Sequence, residues 1–124
     1  MVVVGAERVL PAELEARAAR IVAALQQQAE CNCHAGAAPR ITLESLRFTR
    51  VTDPASGLPG YEGVWRNAGN HRCGSLTFNG DGSFYAEYDI FMPHPRDARW
   101  FVEMVTAWGD AASLRSEASL IPAL

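Results

Sequence analysis

The stretch LTFNGDGSFYAEYDI, Leu76 to Ile90, carries the clearest structural signal in the sequence. Apolar and polar residues alternate along it, and the turn sequence NGDG, Asn79 to Gly82, interrupts the alternation. Alternation with a period of two is typical of a half-buried strand, and Asn-Gly or Asp-Gly turns join antiparallel strands. The stretch therefore predicts a β-hairpin with one buried face and one face open to solvent.

A helical pattern precedes this hairpin in the N-terminal part of the chain. Pro11 stands where a first helical turn accepts proline, and the pattern ends near Glu30, before Gly36 and Pro39. Apolar residues recur at spacings of three and four: Leu14, Ala18, Ile21, Val22 and Leu25. This spacing predicts an amphipathic helix.

The region between the helix and the hairpin is rich in strand formers. Residues Arg40 to Val51 predict a strand with a bulge or bend, because their large apolar residues change parity. The turn-rich segment Thr52 to Gly60 predicts a loop, and Tyr61 to Asn67 predicts a short strand. With the hairpin, these segments give an antiparallel β-meander of three or four strands.

The segment after the hairpin has an apolar stripe that fits a helix. Pro95 can open such a helix, and Gly109 can end it. The stripe consists of Trp100, Phe101, Met104, Val105 and Trp108. The prediction is an α+β fold with an N-terminal helix, the meander and a C-terminal helix, the helices lying on one face of the sheet. Residues 1–124 form a single domain, and 1–10 and 110–124 are expected to be its least ordered parts.

Composition narrows the functional classes. The chain has 124 residues, 48% of them hydrophobic, and a formal net charge of −3. An acidic protein is a poor match for nucleic acid or anionic membranes, which attract basic patches. The N-terminus lacks a signal-peptide pattern, and three cysteines, an odd number, fit a reducing compartment. These features predict a cytoplasmic protein.

Two short groups raise the question of a metal site. Cys31 and Cys33 lie in the sequence CNCH, and His71 and Cys73 lie in HRC. Three thiolates and one imidazole are a ligand set that zinc accepts, but structural zinc motifs place two to four residues between paired cysteines. A zinc-binding structural or regulatory protein therefore remains an alternative, while reduced cysteines without a cofactor are the favoured interpretation.

Catalysis finds less support in the sequence. His94 lies between two prolines, and Glu87 and Asp89 form a pair of carboxylates on one strand face. No nucleophile, phosphate-loop, zinc-protease or dinucleotide motif accompanies them. We therefore expect the protein not to be an enzyme.

The open face of the hairpin is the better candidate for a site. Tyr85, Glu87 and Asp89 project from one side of its second strand, and Glu62 is expected nearby. Tyrosine provides contact area at low entropic cost, and carboxylates steer the association of a basic partner. These four residues are the predicted partner-binding residues.

The same hairpin resembles that of the YezG-like immunity proteins, bacterial antitoxins of polymorphic toxin systems. The shared residues are Asp81-Gly82, Phe84 and Glu87-Tyr88-Asp89, with loose counterparts in Arg99-Trp100 and Trp108-Gly109. The resemblance implies a non-catalytic protein that binds and occludes a cognate toxin, often a nuclease with a basic cleft. A small acidic secretion chaperone, which is usually a homodimer, is the alternative from a different class.

Overall fold

The computed structural model describes residues 10–32, 38–94 and 97–122, and for 32, 91–94, 97–103 and 122 it describes the backbone alone. One helix, α1, spans Ala12–Asn32. It begins after Pro11, whose carbonyl accepts hydrogen bonds from the backbone N–H groups of Leu14 and Glu15. The strands that follow are β1 Arg47–Thr52, β2 Pro59–Arg66, β3 Arg72–Phe78, β4 Phe84–His94, β5 Asp97–Gly109 and β6 Leu114–Pro122.

The six strands form one antiparallel sheet in the order of the sequence, β1 to β6. Helix α1 packs against β4, β5 and β6 and covers one face of the sheet. The predicted hairpin is β3 and β4, in which Phe78 pairs with Phe84 and Leu76 with Ala86. Gly82 takes a positive φ of 93° in the connecting turn, a conformation that glycine adopts without strain.

Two parts of the predicted fold are wrong. The meander has six strands rather than three or four, and the described chain has no C-terminal helix. The segment predicted to be that helix is β5, and the tail expected to be loosely ordered contains β6. Among the described residues, α1 is the one helix on the covered face, where the prediction had two.

The composition of β5 explains why the helical interpretation failed. Strand β5 pairs with β4 on one side and β6 on the other, so it is an inner strand with neighbours on both edges. Its apolar residues occur at both parities, which also produces a stripe at helical spacing. A helix here would leave the long β4 with an unpaired edge, whereas the β-branched and aromatic residues of β5 suit a strand.

The predicted strand at Arg40 to Val51 is shorter than expected. Strand β1 begins only at Arg47, and a turn closed by a hydrogen bond from the N–H of Leu46 to the carbonyl of Leu43 precedes it. The change of parity in this region therefore reflects a turn before the strand. The ladder irregularities lie elsewhere, next to Trp65 in the β2–β3 ladder and next to Pro93 in the β4–β5 ladder.

The core lies between α1 and the covered face of the sheet. Ile21 and Leu25 of the helix are fully buried, as are Leu76 of β3 and Val105 of β5. Trp65 is also buried, and its indole N–H donates a hydrogen bond of 2.9 Å to the carbonyl oxygen of Thr42. The segment before β1 is thereby held against the sheet.

Arg17 joins the helix to the β3–β4 hairpin. Its guanidinium lies over the rings of Phe78 and Phe84, at 5.4 and 5.7 Å from their centroids. It also donates a hydrogen bond of 3.0 Å to the carbonyl oxygen of Gly82 in the turn. Cation–π contact and hydrogen bond together fix the helix over the hairpin that the sequence predicts.

Gly63 of β2 makes room for an aromatic contact between Phe48 of β1 and Phe78 of β3. A Cβ atom at this position would lie 2.8 Å from Cε1 of Phe48, whose ring stacks on Phe78. We expect Gly63→Ala to displace Phe48 and to lower the free energy of unfolding by about 2 kcal/mol, measured by urea denaturation. Gly69→Ala, in an exposed turn, is the control, and an equal effect of both changes would contradict this role for Gly63.

Candidate functional site

Strand β4 carries the predicted site on the face of the sheet opposite α1, here called the open face. Phe84 and Ala86 of β4 are buried beneath the helix, so the intervening residues Tyr85, Glu87 and Asp89 project from the open face. The Tyr85 side chain is 45% exposed, and Glu87 and Asp89 are half-buried. The alternation read from the sequence is therefore present in the strand.

The neighbouring strands add further residues to this face. Tyr85 pairs with Trp108 of β5, and Glu87 pairs with Thr106. Thr106 in turn pairs with Glu117 of β6, so the two glutamates flank one buried threonine. The five residues Tyr85, Glu87, Asp89, Trp108 and Glu117 are called the open-face patch below.

Tyr85 and Glu87 are joined directly. The Tyr85 hydroxyl donates a hydrogen bond of 2.8 Å to Oε1 of Glu87. Burial, this hydrogen bond, and the negative charges of Glu87, Asp89 and Glu117 raise the pKa of the Tyr85 hydroxyl to about 12. The hydroxyl therefore stays protonated and holds the Glu87 carboxylate in place.

Asp89 is the most perturbed acid of the patch. Burial, a hydrogen bond with Glu87 and the Glu87 charge raise the pKa of the Asp89 carboxyl to about 7. Its Oδ1 atom is buried and accepts no hydrogen bond from the part of the chain that the structure describes. Two like charges close together on one strand face are unfavourable, so the proximity of Glu87 favours the protonated form of Asp89.

Glu62 lies on the open face but apart from the patch. It pairs with Thr77, and Thr77 pairs with Tyr85, which places Glu62 two strands, or roughly 10 Å, from Tyr85. Its carboxylate is 3.9 Å from the guanidinium of Arg72, and both side chains are exposed. The structure thus brings together three of the four predicted residues, and an arginine partly offsets the charge of the fourth.

The described members of the two Cys/His groups lie in different parts of the fold. Cys31 is exposed near the end of α1, His71 is exposed before β3, and Cys73 is buried on β3. Cys33 lies outside the described residues, as does the side chain of His94. Within the described ranges, no three potential metal ligands come together.

Sequence reasoning missed Trp108 and Glu117. Trp108 was assigned to the apolar stripe of a helix, and Glu117 to a loosely ordered tail. Val105 and Ala107 alternate with Thr106 and Trp108, but apolar residues stand at both parities of β5, so the period gave no decisive signal for a strand. Recognising β5 as a strand would have placed Trp108 beside Tyr85.

None of the described helices is long and apolar enough to cross a membrane. The chain was also compared with protein families, with curated proteins and with solved structures. No family model, curated protein or solved structure matches it.

Proposed function

We propose that the protein is a non-catalytic binding protein that captures a basic protein partner on the open-face patch. The resemblance to immunity proteins makes a cognate toxin the proposed partner, occluded by a one-to-one complex in the cytoplasm. The observation that carries the proposal is the grouping of Glu87, Asp89 and Glu117 with two aromatic side chains on the uncovered face of the sheet.

The aromatic residues support a protein partner. Tyr85 and Trp108 are opposite each other on adjacent strands, and neither is buried. Tyrosine and tryptophan are enriched at the centres of protein interfaces, where they provide a large contact area with few rotatable bonds. A sheet face with two aromatic side chains and a group of carboxylates suits a partner that presents arginine or lysine.

The carboxyl pair gives a physical reason for the preference for a cation. In the free protein, burial and the Glu87 charge disfavour ionisation of Asp89. An arginine or lysine side chain placed beside the pair would favour ionisation of both acids and donate hydrogen bonds to their oxygens. A basic partner therefore relieves a repulsion that is built into the unbound face.

Glu87→Lys tests the proposal. We expect this change to weaken capture of the partner by at least about tenfold, because it removes one acid and repels the incoming cation. The measurement is affinity capture from the protein's own cells with wild-type and variant bait, followed by titration of the identified basic protein. Binding of that protein to the wild type should also weaken as salt is raised.

Glu44→Lys is the matched control, because it makes the same charge change at an exposed residue before β1. The control should bind like the wild type. Equal binding by Glu87→Lys, Glu44→Lys and the wild type would show that the open-face patch is not the contact surface. For the immunity function, cells that produce the captured protein should survive with wild type and die with Glu87→Lys.

A further inference from the structure

Strand β6 is an edge of the sheet with unusual features for an edge. Its nine residues pair with β5 on one side, and within residues 10–32, 38–94 and 97–122 no strand pairs with it on the other. Leu114, Leu120 and Ile121 are 41%, 37% and 44% exposed along it. Edge strands present unpaired N–H and C=O groups, and proteins commonly shield them with lysine, bulges or short length. Strand β6 has no lysine and no bulge, although Arg115 and Glu117 carry charges on it and Pro122 stands at its end.

The charges of β6 are complementary to their own antiparallel copy. Arg115 and Glu117 both lie on the open face, separated by Ser116. If two copies of β6 pair about a two-fold axis at Ser116, Arg115 of each copy faces Glu117 of the other. On the covered face of the same pair, Leu114 faces Ala118 of the second copy. Directly opposed unlike charges and apolar pairs both stabilise an antiparallel ladder.

The other edge of the sheet lacks this property. Strand β1 has the sequence RFTRVT, with exposed Arg47 and Arg50 and no acidic residue. Pairing two copies of β1 would bring arginines together without compensation. Pairing β1 with β6 would be a heterologous contact, which does not close and leads to open chains of subunits.

We propose that two copies of this protein associate through β6, antiparallel about Ser116, into one continuous sheet. Glu117 belongs to both the open-face patch and the β6 edge. The inference is nevertheless independent of the proposed function, because dimerisation is measured on the purified protein without a partner. The two-fold axis runs perpendicular to the sheet, so the open-face patches of both copies point to the same side.

Charge reversal at Glu117 tests the proposal. We expect wild-type protein to dimerise in sedimentation velocity experiments over about a hundredfold range of concentration. Glu117→Arg places like charges opposite each other twice and should raise the dimer dissociation constant by about tenfold or more. Arg50→Glu on β1 is the matched control and should leave the dimer unchanged.

A mixture of two variants provides the decisive test. Arg115→Glu and Glu117→Arg should each be monomeric alone, whereas mixing them opposes two acids with two bases and should restore a mixed dimer. Unchanged thermal unfolding of each variant, measured by circular dichroism, shows that the fold is retained. A wild type that stays monomeric at every concentration, or variants that do not form a mixed dimer, would overturn the proposal. The edge of β6 would then be available for pairing with a strand of another protein.

Discussion

Leu25→Ala is expected to lower the free energy of unfolding by about 3 kcal/mol. Leu25 is fully buried in the middle of α1, where it packs into the core between the helix and the sheet. Truncation removes apolar contacts and leaves a cavity that the surrounding strands, fixed by their ladders, fill only in part. The change therefore measures how strongly the single helix is attached to the sheet.

Urea denaturation of wild type and variant gives this value directly. Gln27→Ala is the control, because Gln27 is an exposed residue of the same helix, and its replacement should change stability by less than about 0.5 kcal/mol. If Leu25→Ala cost no more than the control, the packing of α1 on the sheet described above would be incorrect.

Asp89→Asn is expected to increase stability at alkaline pH. The folded-state pKa of Asp89 is about 7, above its ordinary value of 3.8, so the folded state binds more protons than the unfolded state between these values. The contribution of Asp89 to the free energy of unfolding must then fall as pH rises from about 4 to about 7 and stay low above it. Asparagine has no charge to lose, and its amide can donate a hydrogen bond to Glu87.

The magnitude follows from linkage. The full shift corresponds to about 4 kcal/mol. Asp89 is only half-buried, so solvent screening reduces the expected gain of Asp89→Asn at about pH 8 to about 2 kcal/mol. At about pH 4 the variant and wild type should differ little, since the Asp89 carboxyl is then largely protonated in the folded state.

Denaturation curves recorded across this pH range check the prediction. Asp81→Asn is the control: hydrogen bonds from Ser83 lower the pKa of the exposed Asp81, so its replacement should leave the fall in stability between pH 4 and 7 in place. A difference in stability between Asp89→Asn and the wild type that stays constant from about pH 4 to about pH 8 would contradict the raised pKa of Asp89.

The elements that could be predicted from the sequence are those with one face in the core and the other face in solvent. Helix α1 and the β3–β4 hairpin each have one apolar and one polar face, and their periods can be read directly from residues such as Ile21 and Phe84. Strand β5 is flanked on both edges, and residues on both its faces are apolar, so its period does not distinguish strand from helix. The sequence thus misleads where strand neighbours decide the structure.

The site shows the same division. The common direction of Tyr85, Glu87 and Asp89 follows from alternation within one strand and was predictable. The positions of Trp108 and Glu117 beside them depend on the β4–β5 and β5–β6 registers, which involve residues outside the hairpin. The raised pKa of Asp89 depends on burial, and the sequence pattern does not show whether an individual carboxyl is buried.

The order of the elements has a consequence for synthesis of the chain. The ribosome releases α1 first, yet the surfaces that cover Ile21 and Leu25 include β4 and β5, which emerge much later. Each hairpin of the meander can close as it appears, whereas the helix cannot dock fully until β4, β5 and β6 have emerged. A nascent chain stalled before β4 would therefore expose the apolar face of α1, and chaperones bind exposed apolar surfaces of this kind.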